Sequence, residues 1–310
     1  MRVGLSSGPS VKIGFVGFHR LFNGVFNNIT HSIAHRFSLE VSEPGPDGHL
    51  REIPDFLFCS VYGHPHLDPR YDDCVKIFTC EENIRPPWAE CDYAMTGDYS
   101  DDPRHLRLPI YARVLLHLPH QDCVRQGLLA NPNLTLVKDP ATNWERVLRS
   151  KTRFCNFIAS NHEASERIRF YDLLSKYKRV DAGGSVRNNI GQRVADKLTF
   201  IEPYKFTIAF ENSSYPGYVS EKIVEPMIVN SLPIYWGSPK IDDDFDPRSL
   251  VVATGRRLED VVDEVIALDR SDDSYVEKMK RPWFHENVQN RYCQPDHVAD
   301  FLAKVFHPTP

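Results

Sequence analysis

No stretch of this 310-residue chain is long and apolar enough, at on the order of 18 residues, to read as a membrane-spanning helix. Nor does the opening, MRVGLSSGPSVKIGFVGF, hold the apolar core of a secretory signal ahead of its first apolar run. These two absences lead to the expectation of a cytoplasmic protein, at most peripheral at the inner face of a membrane. An excess of basic residues is missing too: 37 Lys and Arg face 42 Asp and Glu, a net charge of -5, so a general nucleic-acid binder is not expected. The seven cysteines, an odd number, form no C-x-x-C pair, which argues against a disulfide framework or a zinc knuckle and for small buried apolar groups. There is no G-x-x-x-x-G-K-[ST] loop, no G-x-G-x-x-G after the first strand and no H-E-x-x-H, which removes P-loop enzymes, typical dehydrogenases and zinc proteases. Asn28, Asn133 and Asn212 open N-x-[ST] triplets, which carry no meaning without a secretory signal.

What remains is the composition of a globular protein, 41% hydrophobic and 25% charged, with length for two domains. Short β-rich runs recur at Val11–Gly17, Phe56–Val61, Val75–Thr79, Asp92–Met95 and Leu106–Tyr111. Between them lie polar loops such as Tyr62–Arg70, rich in proline and histidine. Leu115–Lys138 has no clear period. A polar basic stretch, Arg149–Thr152, precedes a fresh run at Phe154–Ser160, which places a domain boundary near residue 150. Beyond it come a helical spacing over Asn161–Tyr177, a turn at Asp181–Ser185, strands at Phe206–Phe210 and Leu232–Trp236, and helices at Ser220–Asn230, Leu258–Leu268 and His297–Phe306. The alternation predicts an α/β chain of two facing Rossmann-like domains: 1–150, 151–285, and a C-terminal helix in 286–310 that packs back on the first.

Two metal patterns are weak. His64 and His66 have no third ligand at a suggestive spacing, and Asp242–Asp244, a D-x-D, runs into a capping turn. The segment Tyr204–Pro239 is more informative. Its strand ends at Glu211-Asn212, a turn-rich loop follows, and a helix opens with Glu221-Lys222 behind Ser220 as N-cap. Ligands of open α/β sheets sit at the carboxyl ends of strands, and a helix N-terminus favours anions. Lysine in a first turn opposes the helix dipole, so an anion partner would explain Lys222, although a surface lysine is an equal alternative.

The strings FEN…GYVSEKI…LPIYWGSP and, upstream, CNFIASN…R..FYD.LSKYKRVDAGGSVRNN resemble the bacterial members of the α1,3/1,4-fucosyltransferases, glycosyltransferase family ten. The match is dense over Phe154–Pro239 and sparse before it, chiefly at FTCEEN (Phe78–Asn83) and LRLPIY (Leu106–Tyr111). The resemblance implies a GT-B type enzyme that transfers L-fucose with inversion from GDP-β-L-fucose to an N-acetyllactosamine-type glycan, without a metal or other cofactor in the chemistry. It implies a donor site of Arg167, Lys222, Asn212, Tyr218 and Glu211, with Arg187 assisting. Glu221 would stand against the fucose and Glu81 would be the base that takes the acceptor's proton, with its neighbour Glu82 the alternative. Cys80 stands where bacterial relatives often carry glycine, which bears on the base's geometry, and Pro226 should bend its helix or delay its start. The chain ends at Pro310 without the heptads and basic tail of longer bacterial members, so tail-mediated dimerisation or membrane docking is not expected. The alternatives are a transferase for another nucleotide sugar and a non-catalytic relative that binds a glycan or nucleotide.

Overall fold

The computed structural model describes every residue except 5–8, 21, 46–47, 118–126, 128, 130–131 and 308–310. The chain begins with β1 (Arg2–Gly4), β2 (Ser10–Val16), α1 (Asn28–Ile33), β3 (Ser38–Ser42), β4 (Phe56–Cys59), β5 (Val75–Thr79), β6 (Tyr93–Thr96), β7 (His105–Arg107) and α2 (Ile110–His117). These seven strands form one sheet in the order β1-β3-β2-β4-β5-β6-β7. All neighbours are parallel except β1, which runs antiparallel to β3 at the edge. Ile13, Leu39, Leu57, Phe58 and Ile77 are wholly buried within it, as expected of a parallel sheet.

The apolar runs locate these strands, with three corrections. The first strand is Arg2–Gly4, not the Val11 run, and β3 and α1 have no counterpart in the sequence reading. Leu106–Tyr111 is divided: Pro109 separates β7 from α2, and its carbonyl accepts from the amides of Ala112 and Arg113 as the helix begins. A proline with no N–H suits a helix entrance and not a central strand. The connections 60–74 and 80–92 contain no α-helix, only the 3₁₀ turns Pro65–Leu67 and Pro69–Tyr71. They cover the sheet with Tyr71, Cys74, Cys80, Cys91 and Trp88, packed against Cys59 and Phe78. The six described cysteines are buried free thiols, and Cys123 lies outside the described residues.

The second sheet is built from α3 (Trp144–Ser150), β8 (Arg153–Phe157), α4 (Ser165–Leu174), β9 (Val180–Ala182), α5 (Lys197–Ile201), β10 (Tyr204–Phe210), α6 (Glu221–Ile228), β11 (Leu232–Trp236), β12 (Val251–Val252), α7 (Leu258–Arg270) and α8 (Asp272–Lys280); α9 (Pro295–Phe306) closes the chain. Its order is β12-β11-β10-β8-β9, parallel throughout. The strand order therefore reverses between β8 and β10, and ligands of such sheets bind beyond the strands' carboxyl ends at that reversal.

The chain divides into Met1–His117 with Arg291–Pro310, and Leu118–Asn290. The boundary expected at 150 is thus displaced, because α3 packs on α8 and the amide of Asn133 donates to the carbonyl of Ile228. Much of Leu115–Lys138, where the sequence shows no period, lies outside the described residues. Helix α9 returns to the first unit. Phe306 packs on Phe37 and Phe56, while Arg36 pairs with Asp296 and Asp300. No helix among the described residues is long and apolar enough to cross a membrane.

Candidate active site

Strand β10 is buried at every position and delivers Glu211 and Asn212 to its carboxyl end. Glu211 has no exposed surface. Its carboxylate accepts from the Ser220 amide and the Ser220 hydroxyl, both at 2.7 Å, and lies 3.4 Å from Lys222 Nζ. Burial raises the Glu211 carboxyl above its ordinary range, and the charge of Lys222 and the two bonds from Ser220 oppose that rise. The pair ties the helix entrance to the strand end. Ser220 caps α6 as its sequence position suggests, accepting from the Lys222 amide. Helix α6 begins at Glu221 with no delay from Pro226, which sits inside it. Proline supplies no amide to the carbonyl four residues back, so the Lys222 carbonyl lacks its usual helical partner.

Lys222 Nζ also reaches the Ser220 hydroxyl at 2.9 Å and Glu221 at 3.3 Å. Burial alone would lower its pKa, but Glu211 and Glu221 more than reverse this, so the ammonium is held charged. Glu221 is pulled the other way. Burial would raise it, yet Lys222, Lys197 and the residue's own backbone amide bring it down to about 2. Arg167, on α4, is 3% exposed and donates to the carbonyl of Phe210 and, at 2.9 Å, to Asn212 Oδ1. Its Nε is buried with no partner, a donor position still open. Tyr218 is buried beside this group, close enough to act electrostatically on both cations.

Arg167, Asn212, Glu221 and Lys222 face a cavity of about 300 Å³ whose walls include Ile158–Asn161, Ile201, Thr207 and Ile208. The wall at 158–161 follows β8 and Asn212 follows β10, so the cavity lies at the reversal of strand order. Gly184 fixes that wall. A side chain there would place its Cβ 1.9 Å from the Ala159 carbonyl oxygen, and the Val186 amide donates to that oxygen at 3.0 Å. Of the residues expected at the donor site, Arg167, Lys222, Asn212 and Glu221 line the cavity. Glu211 and Tyr218 stand behind it. Arg187 does not line it; its guanidinium donates two hydrogen bonds to the Asp172 carboxylate, at 2.7 and 3.1 Å, from a backbone at φ 55°.

Two lining residues escaped the sequence reading. Lys197, on the five-residue helix α5, bonds Glu225 at 3.0 and 3.2 Å and stands 3.6 Å from Glu221. Burial raises the Glu225 carboxyl to about 7, against the pull of Lys197. The spacing of Glu221 and Glu225, one helical turn apart, was the available signal for the second. Nothing in the sequence marks Lys197. With Arg167 and Lys222 at a helix N-terminus and a carboxylate between two lysines, the cavity can hold an anionic group and steady a cationic centre beside it.

Glu81 belongs to the other unit. It is exposed, two residues past the end of β5, and its charge acts on Arg113 of α2. Arg113 is 3% exposed and donates to the carbonyl of Met95, while its Nε has no partner. Burial lowers the Arg113 pKa, and Glu81 counters that effect. Glu82 is equally exposed beside it, and Cys80 donates to the carbonyls of Glu82 and Ile84. Asp242 and Asp243 lie in the 3₁₀ turn Ile241–Asp243 with Asp244 as its C-cap, and Asp246 caps the next turn and pairs with Arg248. It belongs to no three-ligand cluster among the described residues.

Residues 13–114 match the family model of the alpha-(1,3)-fucosyltransferase FucT N-terminal domain, and residues 148–299 that of the glycosyltransferase family 10 (fucosyltransferase) C-terminal domain. The alpha-(1,3)-fucosyltransferase FucT of Helicobacter pylori is 32% identical over 74% of this chain and 51% of its own length. The chain spans about half the length, or less, of the curated relatives it matches first. A solved alpha1,3-fucosyltransferase structure superposes with a TM-score of 0.76 at 26% identity, over 98% of this chain and 92% of that one. An alpha1,3-fucosyltransferase solved with GDP-fucose gives 0.73 at 25% identity, over 99% and 94%.

Proposed function

The chain belongs to glycosyltransferase family 10, the fucosyltransferases, and from that premise we propose that it transfers L-fucose from GDP-β-L-fucose, with inversion, to a hydroxyl of an N-acetyllactosamine-type glycan. The observation that carries this reading is the pairing of Arg167 and Lys222 in a cavity at the strand-order reversal, beside the first turn of α6. The diphosphate lies against these two cations. Arginine offers a planar fork with an open Nε, and lysine a point charge. As the bond from the sugar to GDP breaks, negative charge grows on the leaving phosphate and positive charge on the fucose ring. Arg167 and Lys222 stabilise the first and the ionised Glu221 the second. Inversion also needs a base for the acceptor's proton, and Glu81 is the group assigned to it. Charge neutralisation is assigned to side chains in this scheme, with no divalent cation in the chemistry.

A direct test measures GDP release with N-acetyllactosamine present and absent, in EDTA. Acceptor-dependent release that persists in EDTA is the expected result, with GDP-fucose outcompeting GDP-mannose. Release that needs added Mn²⁺, or that ignores the acceptor, defeats the proposal.

Donor binding should also take up protons. Glu225 lines the cavity with a pKa of about 7, so near neutrality it is partly ionised. A diphosphate adds negative charge nearby and raises that value further. Affinity for GDP-fucose, whose diester diphosphate does not titrate near neutrality, should therefore be highest on the acid side and weaken as pH climbs through the Glu225 range. Calorimetry in two buffers of different ionisation heat should show proton uptake, and Glu225→Gln should remove the buffer dependence. Identical heats in both buffers for the unaltered protein would contradict it.

A further inference from the structure

The two connections without helices, 60–74 and 80–92, are held to each other by an unusual trio. His64 Nδ1 and His66 Nε2 approach the same oxygen of Glu90, at 3.5 and 3.1 Å. One ligand atom from each residue lies within 4.8 Å of the others. Pro65 stands between the histidines and opens a 3₁₀ turn, so the spacing of the two imidazoles is set by a backbone with a locked φ. His66 is 2% exposed, and its Nδ1 has no hydrogen-bond partner. Whatever fixes this buried ring therefore acts through Nε2, on the Glu90 side.

Zinc bonded at about 2.1 Å to three corners of a tetrahedron requires ligand atoms about 3.4 Å apart. The two separations from the Glu90 oxygen lie on either side of that distance. Two imidazoles and one carboxylate are a borderline donor set that suits zinc, and three protein ligands leave a fourth position for water. We propose that His64, His66 and Glu90 bind one zinc ion that ties the connection after β4 to the connection after β5. These segments contain no α-helix, only short 3₁₀ turns and local turn hydrogen bonds, and a metal bridge between them would stiffen both. The connection that carries Glu90 also carries Glu81, near its start. The ion has no part in the transfer chemistry, and the proposal stands apart from the assignment of the donor site.

The test uses the full chain stripped with EDTA, then dialysed against Zn²⁺ and analysed for bound metal by mass spectrometry. About one zinc per chain is expected, together with a higher melting temperature in zinc than in EDTA. His64→Ala and Glu90→Gln are the variants, because His64 is 71% exposed at its side chain and its removal leaves the packed interior intact. Each should bind zinc at least about tenfold more weakly and lose the zinc-dependent rise in melting temperature. Should the unaltered chain hold no zinc, the trio is only a His66–Glu90 hydrogen bond with a second imidazole beside it, and the proposal fails. It fails equally if both variants hold as much zinc as the unaltered chain, since the ion then sits elsewhere, on thiols for example.

Discussion

Replacing Lys222 with alanine is expected to lower fucose transfer by about 10²–10³-fold, the usual loss when one pre-placed group facing transition-state charge is removed. The single variant has a second effect. Glu211 has no exposed surface, and Lys222 is the cation closest to it. A buried carboxylate that loses its partner is costly, on the order of 3–5 kcal/mol, so Lys222→Ala could lose activity by loosening the fold. The double variant Glu211→Gln/Lys222→Ala separates the two causes, because it removes both charges and lets the glutamine side chain still accept from Ser220. Its melting temperature should return toward that of the unaltered protein while transfer stays low. Glu221→Ala should show a comparable loss of transfer with a smaller stability penalty, since Glu221 is half-buried at the cavity edge and Lys222 and Lys197 keep Glu211 and Glu225 as partners. Normal turnover in the double variant would remove Lys222 from the catalytic scheme.

Glu81→Gln is expected to reduce kcat by about 10²–10⁴-fold, the range for loss of a general base. Affinity for GDP should not change, because Glu81 lies outside the unit that carries the donor cavity. Glu82→Gln is the matching control. If Glu82 instead gives the large loss and Glu81 the small one, the base is the second glutamate. If neither variant falls by tenfold, the proton is taken by another group.

The donor half was legible because its elements obey simple local rules. Strand β10 is a short, wholly buried run that is apolar but for Lys205 and Thr207, Ser220 is a sound N-cap, and the turn residues between them leave little choice of connection. Pro226 was a misleading signal: it is tolerated in an eight-residue helix whose last turns are buried. The first half was less legible for physical reasons. Its connections after β4 and β5 are shaped by packing of Tyr71, Trp88 and several cysteines, which leaves no period to read. The Leu106–Tyr111 run changes from strand to helix at a proline, and apolarity alone does not distinguish the two. Lys197 was invisible because a five-residue helix has no recognisable face, and Glu90 because it meets His64 and His66 only through the fold.

The backbone of the donor cavity is shaped partly by a missing side chain. Ala159 occupies the space that any residue larger than glycine would need at position 184, so strand and turn interlock there without a gap. Such a wall cannot drift gradually under mutation. If the cavity holds the donor as proposed, its preference is open to change through lining groups such as Asn161 or Lys197 and closed to change through the main chain behind them.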